Sequence, residues 1–295
     1  MDASTPREDL GRAALWMTGA ILSFTAMAVA GREIADELDT FELMTFRSAI
    51  GLAIVVAFAW ATGRLGAAAT KRPGLMVLRN LFHFTGQNLW FYAVAVAPLA
   101  QVFALEFTAP LWVAILAPIL LGERLTAPRA LAVGAGFAGV VLVAEPWGQG
   151  GLGLGAVAAA LAAIAFAATG IATKLLTRTE DLLTILIWLT GTQLLMGAAT
   201  AGWDGAITLP SAAGWPWVVL VGLCGLLAHL SLTRALGLAP ASAVMPIDFA
   251  RLPLIALVGT ALYGESLSGP ALAGAAIILA ANWVNLREGV RVPRD

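Results

Sequence analysis

Long apolar runs follow one another along this chain with little between them. They lie at about 13–30, 41–62, 74–97, 99–120 and 128–144, and again at about 151–173, 182–201, 215–236, 240–263 and 269–286. Each comes close to the ~20 residues that a helix needs to cross hydrocarbon. The runs lack the period-two alternation of a membrane barrel strand, so the pattern predicts an all-α polytopic membrane protein with ten transmembrane helices.

The chain also repeats itself. Displaced by 142 residues, Ala97 to Pro128 falls on Ala239 to Pro270 with ten identities in 32 positions, including Pro98/Pro240, Phe107/Phe249, Gly122/Gly264, Glu123/Glu265 and Pro128/Pro270. The same displacement puts Glu106 on Asp248, Phe24 on Phe166 and Arg32 on Lys174. The repeat is five runs long, over residues 1–145 and 151–289. An odd number of spans starts the second copy on the opposite side of the membrane, so the two five-helix repeats are expected to be inverted, an architecture of transporters. A leader resembling a cleavable signal peptide, Arg7 and Arg12 followed by apolar residues up to Ala30, competes with this reading. The repeat argues against it, because it uses the first run as a structural unit.

Composition narrows the function. Of 295 residues, 60% are apolar and 12% charged, against about 45–50% and 25% in soluble domains. What remains between the runs is too short for a soluble catalytic domain or a nucleotide-hydrolysing motor. The net charge of −1 offers no basic field for nucleic acid. Cys224 is the only cysteine, so no internal disulfide and no cysteine metal cluster is expected, and neither a cofactor nor a metal is called for. With the N-terminus placed in the cytoplasm, 13 of the 17 Lys and Arg fall in inside segments and Arg32 alone outside, which predicts that both termini are cytoplasmic.

Several motifs have bland explanations. Gly134 to Gly139 fits G-x-G-x-x-G, but without a preceding strand it reads as a small-residue face for close helix packing rather than a dinucleotide site. Gly148 to Gly155 reads as a flexible connector. Gly122-Glu123-Arg124-Leu125 and Gly264-Glu265-Ser266-Leu267 each precede a proline, and the glutamate is expected to accept amides of the following helix or to sit at a hinge.

Polar residues inside the runs are the sharper signal, since ionisable groups in hydrocarbon cost roughly 2.5–3.5 kcal/mol each and usually face a cavity or a partner. Arg251 stands three residues after Asp248 and can pair with it, Arg47 is a candidate partner for Glu106, and Arg79 can snorkel to the inner interface. These charges either satisfy one another or take part in coupling. The third run carries His83, Gln87, Asn88, Trp90, Phe91 and Tyr92 near mid-membrane. With Trp188 they form a candidate substrate wall, offering hydrogen bonds beside flat rings, against the alternative of polar helix contacts and aromatic filling. His229, on the repeat position of Gln87, reads rather as a structural residue.

Two five-helix repeats, each ending in the A-P…E/D-F…G-E-x-L-x-x-P frame, resemble the EamA branch of the drug/metabolite transporter superfamily over almost the whole chain. Within it, His83, Gln87 and the crowded aromatics of the third run look like the bacterial aromatic amino-acid exporters. The resemblance implies ten helices around a central cavity, a bacterial inner-membrane location and alternating-access export of amino acids or related small metabolites. Export of other drugs or of nucleotide-sugar-like solutes is the alternative, the latter disfavoured by the lack of a basic mid-membrane cluster. A channel is a closer rival than an intramembrane enzyme, for which the sequence has no catalytic set. The small-residue faces of the fifth and tenth runs can support a homodimer.

Overall fold

A computed structural model describes residues 6–121, 126–145, 153–203, 206–238, 244 and 247–291. The first G-E-x-L copy, Gly122 to Leu125, lies outside them, as do Trp147, the glycines at 148, 150 and 151, and Ala239-Pro240.

The described chain is helical, with no strand among the described residues. The helices are α1 (Pro6–Glu33), α2 (Thr40–Ala61), α3 (Pro73–Val96), α4 (Leu99–Glu106), α5 (Ala109–Leu121), α6 (Ala127–Ala144), α7 (Leu154–Leu176), α8 (Leu182–Ala201), α9 (Trp215–Leu238), α10 (Arg251–Tyr263) and α11 (Gly269–Arg291). Eight spans among the described residues are long and apolar enough to cross a membrane, one of them formed by α4 and α5 together. Helix α3 has the length, 24 residues, but is more polar, and α10 is the shorter apolar helix within the ninth run. Local chemistry sets several ends. Asp39 and Glu42 form a reciprocal capping box at the start of α2, Asp181 caps α8, and Pro73 opens α3 where its missing N–H costs nothing.

Packing follows the inverted repeat. Helix α1 packs on α9 and α3 packs on α7, and the 142-residue displacement exchanges these two pairs. The other main contacts, α2 with α8 and α6 with α11, each join a helix to its own repeat mate. That is the pattern a pseudo-twofold axis generates.

Two glycines of α6, Gly136 and Gly139, serve this packing. A Cβ on Gly139 would stand 2.8 Å from the Gly274 carbonyl oxygen, and one on Gly136 would collide with Leu111. Gly139 and Gly274 thus bring α6 and α11 into backbone contact. Of the small residues that the sequence offers to a second copy, Gly136, Gly139 and Gly274 are used within one chain, whereas a Cβ on Gly134 would meet nothing within 4 Å.

Two spans are broken rather than continuous, which the run pattern does not reveal. Helix α4 ends at Glu106, residues 107 and 108 form a turn, and α5 begins at Ala109. The turn at 249 and 250 before α10 is its repeat equivalent. Pro110 has no N–H for the Glu106 carbonyl, and the next amide, Leu111, bonds the Thr108 oxygen at 2.9 Å, leaving the Phe107 carbonyl free. Asn282 of α11 donates to that oxygen at 2.5 Å, and Asn285 donates to the Pro110 oxygen at 3.1 Å. In hydrocarbon, a broken span persists only when neighbours supply such partners.

Candidate functional site

The breaks in the two spans meet at the centre. Glu106, at the end of α4, accepts a hydrogen bond from Trp90 Nε1 at 2.8 Å and is ion-paired with Arg251 at 3.2 Å. The same terminal nitrogen of Arg251 lies 3.0 Å from Asp248. Three rings surround the guanidinium, Phe24 at 4.7 Å, Phe107 at 4.8 Å and Phe103 at 5.1 Å from their centroids. One cation thus serves two carboxyl groups in this buried cluster, with ring faces and the indole donor as further partners.

Arg47 is not the partner of Glu106. Among the described residues it reaches no carboxylate, and its recorded hydrogen bond is to Met44 Sδ at 3.5 Å. Its guanidinium rests beside Gly225 of α9, 5.8 Å from the Phe91 ring. Glu106 is held instead by Arg251, which lies directly after the second break. Arg79 does not snorkel either. It is buried, donating from Nε to Thr173 at 3.1 Å and from a terminal nitrogen to Asn80 at 3.0 Å, while Asn80 binds Thr192 and the Trp188 carbonyl. Acceptors within the bundle remove the need to reach the interface.

Next to these charges lies a ring cluster with its own approximate symmetry. The His83 ring is 5.9 Å from those of Phe166 and His229, and His229 is 5.8 Å from Phe24. Phe24 and Phe166 are repeat mates. His83 and Gln87 are each 4% exposed, and both His83 nitrogens and Gln87 Oε1 lack a hydrogen-bond partner. Polar atoms so placed are costly unless something binds them. Of the proposed wall, His83, Gln87 and Trp90 lie on one stripe and are all buried.

Tyr92 and Trp188 do not join them. Tyr92 stands five residues beyond Gln87, about 140° around the helix, and is exposed. Trp188 is only six residues into α8, and its indole reaches back to donate at 2.9 Å to the carbonyl of Ala68, the last residue of a short 3-10 helix after α2. Run positions alone overstate its depth.

A cavity of about 430 Å³ opens at the end of the bundle that carries residues 97–98, 145 and 264–268, between α4, α6, α10 and α11. Gln101, Glu145, Ser266 and Ser268 are its polar lining, and none of the proposed wall residues borders it. Above it, Arg32 of α1 pairs with Glu265 and donates to the Val94 and Ala97 carbonyls. Glu265 also accepts the Leu99 amide at 2.8 Å. Glu265 therefore serves the start of α4, in the other repeat, rather than the helix that follows it.

Gln193, Asn282 and the paired breaks escaped the sequence reading. Gln193 and Asn282 are polar residues within apolar runs, the same signal that singled out Gln87. Pro110 and Pro253, close to equivalent positions of the two halves, mark the interruptions.

Both halves match the EamA-like transporter family, over residues 11–144 and 153–287. A riboflavin transporter of Rhizobium johnstonii is 31% identical over 285 residues, 95% of this chain and 93% of that protein. An S-adenosylmethionine uptake transporter of Rickettsia bellii is 25% identical over 252 residues, 82% of each. A solved crystal structure aligns with a TM-score of 0.64 at 22% identity, covering 96% of this chain and 99% of its own, which speaks for the fold alone.

Proposed function

From the premise that this chain belongs to the EamA-like transporter family, we propose that it is a secondary transporter of a small, ring-bearing amphipathic metabolite. The two inverted halves rock about the paired breaks and expose the ring cluster alternately to each side of the bacterial inner membrane, with both termini in the cytoplasm. The observation that carries the reading is the buried set of the two His83 nitrogens and Gln87 Oε1, which lack partners beside the rings of Phe166 and His229. Such a surface suits a solute with a flat face and a polar edge. Relatives named for riboflavin and S-adenosylmethionine both handle ring-bearing solutes. They direct the substrate class toward heterocycles and away from the amino-acid export that the sequence resemblance implies. Aromatic amino acids are the second reading, favoured by the small cavity that Arg47 and Gln193 line. The direction is set by the gradient.

The test is counterflow of labelled riboflavin, phenylalanine and tryptophan into proteoliposomes holding the full chain. Saturable, competed flux supports the reading, and His83→Ala with Gln87→Ala should raise KM. Unchanged kinetics in both variants would remove the ring cluster from the pathway.

A further inference from the structure

We propose that Arg47 and Gln193 form a subsite that takes a planar pair of acceptor oxygens from the transported solute, either a carboxylate or the dione edge of a ring. This rests on the transporter reading above and names the chemistry at one end of the same site.

Arg47 of α2 and Gln193 of α8 line a cavity of about 20 Å³, together with Ser48, Thr190, Gly225 and His229. Gln193 is 3% exposed, and its Nε2 donor has no partner. A guanidinium carries five donors, yet the acceptor Arg47 meets among the described residues is a thioether sulfur, which accepts weakly. The acids that could have compensated it are engaged elsewhere. Glu42 accepts from the Asp39 and Thr208 amides, and Glu106 is held by Arg251 and Trp90. A cation kept at this depth without a counter-charge is expensive. A bound acceptor returns that energy as affinity.

The arrangement sorts solutes by chemistry. The Arg47 guanidinium and the unpaired Gln193 Nε2 supply N–H donors beside the Ser48 and Thr190 hydroxyls, so the cationic charge disfavours an ammonium and an oxygen pair matches the planar fork. The space admits about one water-sized group, so only the tip of a solute enters. The rest can lie on the ring cluster, because His229 borders the cavity and is also 5.9 Å from His83. Gly225 makes the site possible: a Cβ there would stand 2.7 Å from a terminal nitrogen of Arg47.

The experiment measures KM for riboflavin, phenylalanine and phenylalaninamide in proteoliposomes, and the thermal stabilisation of the purified chain by each compound. Arg47→Gln and Gln193→Leu should each raise KM by about tenfold to a hundredfold, the loss of one charge-assisted hydrogen bond. Arg47→Lys should recover part of it, and Gly225→Ala should weaken binding by shifting the guanidinium without removing its charge. If the oxygens come from a carboxylate, the wild type prefers phenylalanine to its amide and Arg47→Gln does not. If they come from a dione, the effect is confined to riboflavin. Flux with KM unchanged in both Arg47→Gln and Gln193→Leu overturns the subsite and leaves the transport reading standing. Stabilisation by a solute that is lost in both variants, without flux, supports the subsite and overturns transport. No flux and no stabilisation by any of the three overturns both.

Discussion

Glu106 and Asp248, at equivalent positions of the two repeats, are bonded to the same guanidinium nitrogen, that of Arg251, at 3.2 and 3.0 Å. Each is the last helical residue before a turn in its span. The pseudo-twofold axis therefore passes near a single cation that belongs to only one of the halves.

Removing that cation leaves two buried carboxylates facing each other. Arg251→Gln should cost about 3–5 kcal/mol, as expected when one partner of a buried pair is lost, and should lower the melting temperature more than Glu106→Gln or Asp248→Asn. Thermal unfolding in detergent compares the three. Equal shifts would mean that the cluster is open to water.

The contact between α6 and α11 predicts a graded glycine series. Gly274→Val should destabilise by at least the 1–3 kcal/mol typical of overpacking, since a Cβ there would stand 2.5 Å from the Gly139 carbonyl oxygen. Gly134→Ala, in α6 with nothing within 4 Å of the added Cβ, should be neutral or stabilising by up to about 1 kcal/mol. Melting curves of the two variants decide it.

At the Arg32 end, Glu265 ties α1 and the start of α4 to the loop before α11. Glu265→Gln should loosen this closure. A cysteine placed at Ala97 in a Cys224→Ser background should then react faster with a water-soluble thiol reagent than it does with Glu265 intact. Equal labelling rates would show that the network does not control access.

Asp181 provides a pH signature outside the spans. Its carboxylate accepts the Thr184 amide at 2.9 Å and lies 2.6 Å from Arg64, which holds it below the ordinary value of 3.8, the amide bond contributing most. A depressed carboxyl pKa stabilises the fold above the unfolded value and loses that contribution as pH falls through the folded one. Asp181→Ala should cost about 0.5–1 kcal/mol near neutral pH, a capping loss on a half-exposed residue. The gap in melting temperature from wild type should close below about pH 3.8, the ordinary carboxyl value. A gap that persists there would assign the cap to packing instead.

Much of the architecture is legible in the sequence because it depends on short-range rules. Hydrocarbon obliges each span to satisfy its own backbone, so run length marks the helices. The 142-residue displacement identifies the repeat, and with it the equivalence of Glu106 with Asp248 and of Phe24 with Phe166. The stripe of His83, Gln87 and Trp90 follows from helical periodicity.

Partner choice is a different kind of information. Periodicity gives the face of a helix but not the neighbour it meets, and only the exchanged packing of α1 on α9 and α3 on α7 settles that. It leaves Arg47 beside Gly225 instead of Glu106 and gives Glu106 to Arg251. Likewise, Pro110 announces a defect in the fourth span, but the turn survives in hydrocarbon because Asn282, 172 residues further along the chain, reaches the carbonyl it exposes. The sequence by itself determined the spans, the inverted repeat and the set of buried polar residues, because each depends on local hydropathy and spacing. The tertiary structure alone decided which of those residues pair and which keep unmet donors, because that depends on interatomic distances across helices.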